Sequence, residues 1–163
     1  RIGVSFAKGL CYGTGKPLIS VSSLAALTAV AIEDYKAGIL DIESWEESIL
    51  CPMIDARRME VYTQMFDCFG NAKSDISAEV ISEESFASAR SDAKNFIVFG
   101  SGAAKCSEIL GATLIEITPS VRGMARIAEK KFNSNEFVDV AYFEPYYLKD
   151  FVVTTSKKNL LKK

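Results

Sequence analysis

Three charged residues lie between two apolar stretches of the chain, and they are the first candidates for chemistry. Asp55, Arg57 and Arg58 separate an apolar run from 49 to 54 and an alternating run from 59 to 66. An aspartate after a buried strand can bind a hydrated cation, or it can accept hydrogen bonds from turn amides and hold a neighbouring arginine. Arginine binds phosphate or carboxylate with its forked donors. The segment is therefore open to two interpretations, an ion or RNA contact and a solvated turn.

A short glycine motif is the second candidate. Gly100, Ser101 and Gly102 follow an apolar run from 96 to 99 and precede a helical pattern. The N–H groups at the start of a helix attract phosphate, which predicts a weak contact with ATP or ADP. Two glycines fall short of a nucleotide-binding fingerprint, and glycine also permits a tight strand-to-helix turn. Both interpretations stay open on the sequence.

The sequence contains no histidine, which removes several classes of catalytic site. A Ser-His-Asp triad, a Cys-His pair and a His-rich metal site all need imidazole. The cysteines lack Cys-x-x-Cys spacing, and this is typical of reduced, buried thiols in an intracellular protein. They are Cys11, Cys51, Cys68 and Cys106. We therefore predict no catalytic residue and no metal site.

The composition sets limits on the partners. A chain of 163 residues is long enough for one core or for two small lobes. A net charge of −2 argues against a protein that holds RNA through bulk electrostatics, although the Lys-rich end of the chain would allow a weak, salt-sensitive contact. No apolar run reaches the ~18 residues that a membrane span requires. We expect a cytoplasmic protein without a membrane partner.

The apolar pattern predicts a mixed α/β order of elements. The runs on either side of Asp55 predict an antiparallel hairpin, in which the first strand is buried on both faces. Helical spacing predicts helices over 2–14 and 23–37, with a short β-rich run at 18–21 between them. Further strands are expected at 78–81, 96–99 and 113–117, each followed by a helix. Thr118 is the expected N-cap of the last helix, whose apolar stripe is Val121, Met124, Ala125, Ile127 and Ala128.

The first predicted helix carries a candidate partner surface. Small residues recur every four positions on one face and large apolar residues lie beside them, so that a second helix can approach closely. The residues of this candidate interface are Gly3, Phe6, Ala7, Leu10 and Cys11. The alternative is that the same residues pack only against their own lobe.

Four segments together resemble one known family. Residues 55–62 read Asp-Ala-Arg-Arg-Met-Glu-Val-Tyr and resemble the signature of the TsaB (YeaZ-type) family, which takes part in making threonylcarbamoyladenosine on tRNA. Residues 1–10 are similar to the helix after the family's Gly-Pro-Gly-Ser-x-Thr-Gly loop. Residues 100–102 match its Gly-x-Gly turn, and residues 144–149 its Glu-Pro-x-Tyr-Leu-Arg ending.

The resemblance implies an actin-like ATPase fold, which is also called ribonuclease H-like. Residues 48–151 would form the second lobe, and residues 1–47 would be the C-terminal helices and linker of a first lobe that is otherwise missing. Residues 152–163 would be a polar, Lys-rich tail. In this fold Asp55 would hold a cation bound to the phosphates of a nucleotide.

The resemblance also implies a function. The chain would be a non-catalytic scaffold that binds and stabilises the transferase TsaD together with the ATPase TsaE, and would meet tRNA only through that complex. The first helices would bind TsaD, and the same surface would form a homodimer in its absence. Two alternatives are an actin-fold enzyme that binds or hydrolyses a nucleotide at Asp55 and the Gly100 turn, and a glycoprotease-type peptidase.

Overall fold

A mixed sheet of six strands organises the computed structural model, which describes residues 2–148. Lys149 and the predicted tail at 152–163 lie outside the described residues. The helices are α1 (Ile2–Thr14), α2 (Ser23–Lys36), α3 (Ala87–Asp92), α4 (Ala104–Leu110) and α5 (Val121–Asn133). The strands are β1 (Ser48–Asp55), β2 (Glu60–Thr63), β3 (Phe66–Asp67), β4 (Ser77–Val80), β5 (Asn95–Phe99) and β6 (Thr113–Leu114).

The central strand is β1, as expected for a strand whose sequence is apolar on both faces. The order across the sheet is β4-β2-β1-β5-β6, and β3 pairs with the first part of β1. β2 and β4 add in antiparallel fashion, whereas β5 and β6 run parallel to β1. The register places Met53 opposite Thr63 on one side and Leu50 beside Ile97 on the other. The predicted hairpin, third antiparallel strand and buried strand at 96–99 are thereby confirmed.

Each face of the sheet has its own apolar core. On one face Leu50, Phe66 and Phe99 pack against Leu27 and other buried residues of α2. On the opposite face Met53, Val61 and Val98 pack against Cys106 and Leu110 of α4. Complete burial of such a side chain contributes roughly 1.5–3 kcal/mol, so both cores stabilise the packing of these helices on the sheet.

Several predicted boundaries are wrong, and local hydrogen bonds explain two of them. The alternating run from 59 to 66 is not one continuous strand. Between β2 and β3, Ser74 accepts hydrogen bonds from Gln64 and Met65. Its hydroxyl accepts from Met65 N at 2.9 Å, and its carbonyl accepts from Gln64 Nε2 at 2.8 Å. The last helix begins at Val121 with Ser120 as its N-cap, since the Ser120 hydroxyl accepts from the main chain at 122. The expected strand at 18–21 is reduced to one bridge between 18 and 138.

The apolar stripe of α5 meets α2 at a glycine. A Cβ atom on Gly123 would lie 2.1 Å from Ala26 O and 2.7 Å from Val30 Cγ2, so the two helices touch there at backbone distance. Val121 and Met124, which the sequence placed on the packing stripe, remain exposed. The stripe was predicted from apolar residues alone, and the closest contact lies at a residue that has no side chain.

The proposed boundary between lobes at residues 47 and 48 stays a prediction. The segment before β1 is firmly attached, since Trp45 is buried and stacks on Tyr35 of α2 with ring centroids 4.3 Å apart. α2 and the sheet share one apolar core. α2 is therefore packed firmly against the sheet, directly after α1 in the chain.

Candidate functional site

The Asp55 hairpin is a tight turn that is stabilised by its own polar groups. β1 ends at Asp55, and its carboxylate Oδ1 accepts from Arg57 N at 3.1 Å. Arg57 and Arg58 both have positive φ angles, 73° and 49°, which side chains other than glycine adopt at a cost of roughly 1–2 kcal/mol each. Ala56 N donates to Glu60 O at 3.1 Å and closes the turn. The backbone strain is therefore offset by local hydrogen bonds.

Lys105 reaches into this hairpin from α4. Its ammonium forms an ion pair with Asp55 and donates to Glu60 O at 2.8 Å and to Arg58 O at 2.5 Å. The hydrogen bond from Lys105, followed by the bond from Arg57 N, lowers the pKa of Asp55 below its usual value. No local sequence pattern indicates Lys105 as a partner of Asp55, because fifty residues of sequence separate the two. Only the parallel pairing of β1 and β5 brings them together.

The glycine turn packs directly on the end of β1. Gly100 has φ 96°, and a Cβ there would lie 2.7 Å from Met53 O. A Cβ on Gly102 would lie 2.8 Å from Val61 Cγ1 and 3.1 Å from Asp55 N. Both glycines are therefore required by close packing inside the chain.

The predicted cofactor residues lie together in the fold. Ser101 Oγ accepts from Asp55 N at 3.1 Å, so the turn and the hairpin form one polar cluster. Gly102 N donates to Met53 O at 2.9 Å, and Ala103 N donates to Gly100 O at 3.1 Å. These two amides, in the turn before α4, already have acceptors within the protein. Nucleotide contact at this cluster stays a prediction.

Arg57 and Arg58 project from the tip of the hairpin. Both residues are exposed. Each carries a positive charge, and the carboxylate of Asp55 is paired with Lys105. An anion such as RNA phosphate suits such a tip, and that contact likewise stays a prediction.

α1 differs from the other long helices because it buries none of its residues. Phe6 is 67% exposed and Leu10 is 52% exposed, and both belong to the predicted interface. Gly3 lies on the same exposed side, while Ala7 and Cys11 are half-buried and face the body of the protein. The structure therefore divides the five predicted interface residues into an outward set and an inward set. Ile2 and Tyr12, which the prediction omitted, extend the exposed apolar surface.

A cleft lies between α1 and the sheet. Its volume is about 870 Å³, and the sequence analysis did not identify it. Its polar wall includes Lys131, whose ammonium donates to Ser20 O at 3.0 Å. Apolar and aromatic residues form the rest, among them Val4, Leu24, Ile54, Tyr62, Phe143, Pro145, Tyr146 and Leu148. Most of these positions are far apart in sequence, so no local pattern indicates the cleft.

The cysteines have the environment that their sequence context indicates. Cys51, Cys68 and Cys106 are buried, Cys11 is half-buried, and all four are free thiols. Burial raises the pKa of Cys51 to about 12, even though its sulfur lies 3.1 Å from Thr63 Oγ1. Such a thiol stays protonated and is a poor nucleophile at neutral pH.

Two kinds of feature are absent from residues 2–148. No three Cys, Asp or Glu side chains in this range group closely enough to hold a metal ion. No helix in the same range is both long enough and apolar enough to cross a membrane.

Two solved structures from Pseudomonas aeruginosa share this architecture. One is YeaZ, with a TM-score of 0.67, and the other is an uncharacterized protein with similarity to peptidase YeaZ, with a TM-score of 0.66. Each is 24% identical to this chain, and each comparison covers 91% of this chain and 67% of the other. Since YeaZ has an actin-like ATPase fold, the likeness confirms the predicted fold class.

The sequence itself identifies the family. The family model of TsaD, tRNA N6-adenosine threonylcarbamoyltransferase, matches residues 1–157, and the chain belongs to this family. No curated protein matches the chain. The family and the fold together confirm the resemblance to YeaZ-type proteins.

Proposed function

We propose that this chain is a non-catalytic scaffold subunit in tRNA N6-threonylcarbamoyladenosine modification. It binds and stabilises a TsaD-type transferase, works in the cytoplasm with a TsaE-type ATPase, and meets tRNA through the complex. The observation that carries the proposal is the uncharged apolar face of α1, on which Phe6 and Leu10 are exposed. In the absence of the transferase, the same face joins two copies of the chain.

The composition of α1 supports a partner on that face. Its three glycines, Gly3, Gly9 and Gly13, each cost roughly 1 kcal/mol of helix stability relative to alanine. Within residues 2–148 no atom lies within 4 Å of the Cβ that each would carry, so no contact in this range requires them to be glycine. Small residues at such positions allow the backbone of a second helix to approach. A partner helix therefore accounts for both the glycines and the apolar residues.

A scaffold without its own catalytic centre also agrees with the polar residues. The whole sequence lacks histidine, and the carboxylate of Asp55 is already paired with Lys105. The amides of Gly102 and Ala103, which lie just before α4, donate to carbonyl oxygens of the protein. These groups have structural partners, which supports assigning the transfer chemistry to another subunit.

Complex formation with the transferase tests the proposal. We expect one defined complex by size-exclusion chromatography when the chain is mixed with a TsaD-type subunit of the same organism. Phe6→Ser should weaken it strongly, since truncation of a buried interface aromatic commonly costs about 2 kcal/mol or more. Phe69→Ser is the matched control, because Phe69 is equally exposed but lies in the turn after β3.

Two results would contradict the proposal. The first is a mixture in which the unmodified chain and the transferase elute separately at micromolar concentration. The second is saturable ATP binding with turnover by the chain alone that Asp55→Ala abolishes, since this would favour the enzyme alternative.

A further inference from the structure

The side chain of Lys8 connects α1 to a segment near the end of the described residues. Lys8 Nζ donates to Ala141 O at 3.0 Å and to Phe143 O at 2.9 Å. Lys8 is also the only charged residue of α1. It lies two residues after Phe6, which is about 200° around the helix, so the ammonium and the exposed phenyl ring are on opposite sides.

The segment that accepts the Lys8 hydrogen bonds is a turn stabilised by its own hydrogen bonds. Asp139 Oδ1 accepts from Ala141 N at 2.7 Å and from Tyr142 N at 2.9 Å, and Asp139 O accepts from Phe143 N at 2.9 Å. Just before this turn, Val138 N donates to Leu18 O at 2.9 Å. The segment 138–143, which we call the strap, therefore contacts the chain directly after α1 and the middle of α1 itself.

The Lys8 hydrogen bonds add a polar constraint to the orientation of α1. No residue of the helix is fully buried and its inward residues Val4, Ala7 and Cys11 are half-buried, so apolar packing alone constrains its angle to the body only weakly. Hydrogen bonds from a charged donor are among the stronger polar contacts, and Lys8 makes two of them to one rigid turn. Without them the helix would sample more orientations about its junction with residue 18.

We propose that Lys8 is a positioning residue of the partner-binding face, and that the strap presents α1 in the orientation that the transferase binds. This inference rests on the proposed function. It concerns a residue that touches no partner and acts through Phe6 and Leu10 on the far side of the helix. Loss of the strap contact reduces the fraction of binding-competent molecules, and the apparent dissociation constant rises by the same factor.

The test is the affinity of full-length variants for the TsaD-type subunit, measured by calorimetry. Lys8→Met keeps the length of the side chain and removes the donors, and we expect about tenfold weaker binding from the smaller competent fraction. Lys8→Arg should restore the affinity. Unchanged affinity for Lys8→Met would overturn the inference, as would a loss that Lys8→Arg does not rescue.

A second pair of variants changes the hydrogen bonding of the strap and leaves the sequence of α1 unchanged. Asp139 is exposed, and Asp139→Ala deletes the acceptor that shapes the turn, whereas Asp139→Asn keeps an oxygen there. Asp139→Ala should weaken transferase binding like Lys8→Met, with a thermal midpoint near that of Asp139→Asn. If Asp139→Ala lowers the thermal midpoint but leaves the affinity unchanged, the strap has only a structural role and the inference is overturned. If the unmodified chain binds no transferase, the proposed function fails; if it binds but neither pair differs, only this inference fails.

Discussion

The sequence indicates two candidate functional regions, the Asp55 cluster and α1. The first is polar and the second is apolar. The cluster of Asp55, Lys105 and the Gly100–Gly102 turn consists of polar groups that bind one another, at glycines that packing requires. α1 is apolar and exposed, and its glycines face open space. The polar groups of the first region pair with one another, whereas α1 leaves apolar side chains exposed. The residue types that could do chemistry thus stabilise this protein, and the surface that we propose for partner binding is apolar.

The largest expected effect distinguishes the two kinds of glycine. Gly100→Ala should lower the free energy of unfolding by about 2–4 kcal/mol, because it combines a positive φ with a contact on the backbone of β1. Gly111→Ala is the control, since Gly111 also has a positive φ, 57°, but has open space around it. Urea denaturation of both variants should show a clearly smaller loss for Gly111→Ala. Equal losses would mean that close packing at the Gly100 turn contributes nothing.

A smaller effect of opposite sign is expected in α1. Gly9→Ala should raise the stability of the free chain by about 0.5–1 kcal/mol, because alanine is the better helix former and the added methyl meets nothing. The same methyl should weaken transferase binding if a partner helix lies against this position. Thermal denaturation and calorimetry measure the two effects. A destabilised free chain would indicate that α1 is already packed.

The smallest effect concerns the charge of Asp55. Its pKa in the folded state lies below the value of 3.8 in the unfolded chain, so its ionised form stabilises the fold above about pH 4. This stabilisation is lost as the pH falls through the folded-state pKa. Asp55→Asn cannot ionise, so the difference in stability between the two proteins should be present at pH 7 and shrink towards pH 3. A difference that stays constant over this range would show that the Lys105 pair has no electrostatic role.

Local sequence was sufficient to predict the elements whose signals lie within a few residues. Asp55 to Arg58 between two apolar runs indicates a hairpin, and the glycines after residue 99 indicate a strand-to-helix turn. Both are found. These local signals predict only a mixed α/β order; the actin-like fold was implied by the resemblance of four segments to the TsaB family, and the comparison with YeaZ confirms it.

Features that depend on distant contacts were not predictable in this way. Lys105 approaches Asp55 only because β1 and β5 pair in parallel, and Ser74 divides β2 from β3 from the other side of a loop. The contact between α5 and α2 at Gly123 could not be predicted from apolar periodicity. That pattern considers side chains only, and Gly123 brings its backbone close to α2. The sequence likewise could not indicate which of the predicted interface residues face outwards, since that depends on the contact of α1 with the strap at 138–143.

Hydrogen–deuterium exchange on the complete chain, with and without a TsaD-type subunit, compares the two regions directly. We predict that the amides of α1 exchange more slowly in the mixture. The amides at the Asp55 hairpin and the Gly100–Gly102 turn should exchange at the same rate with and without the subunit. Slower exchange at that hairpin and turn, with α1 unchanged, would contradict the account and place the binding surface at the polar cluster.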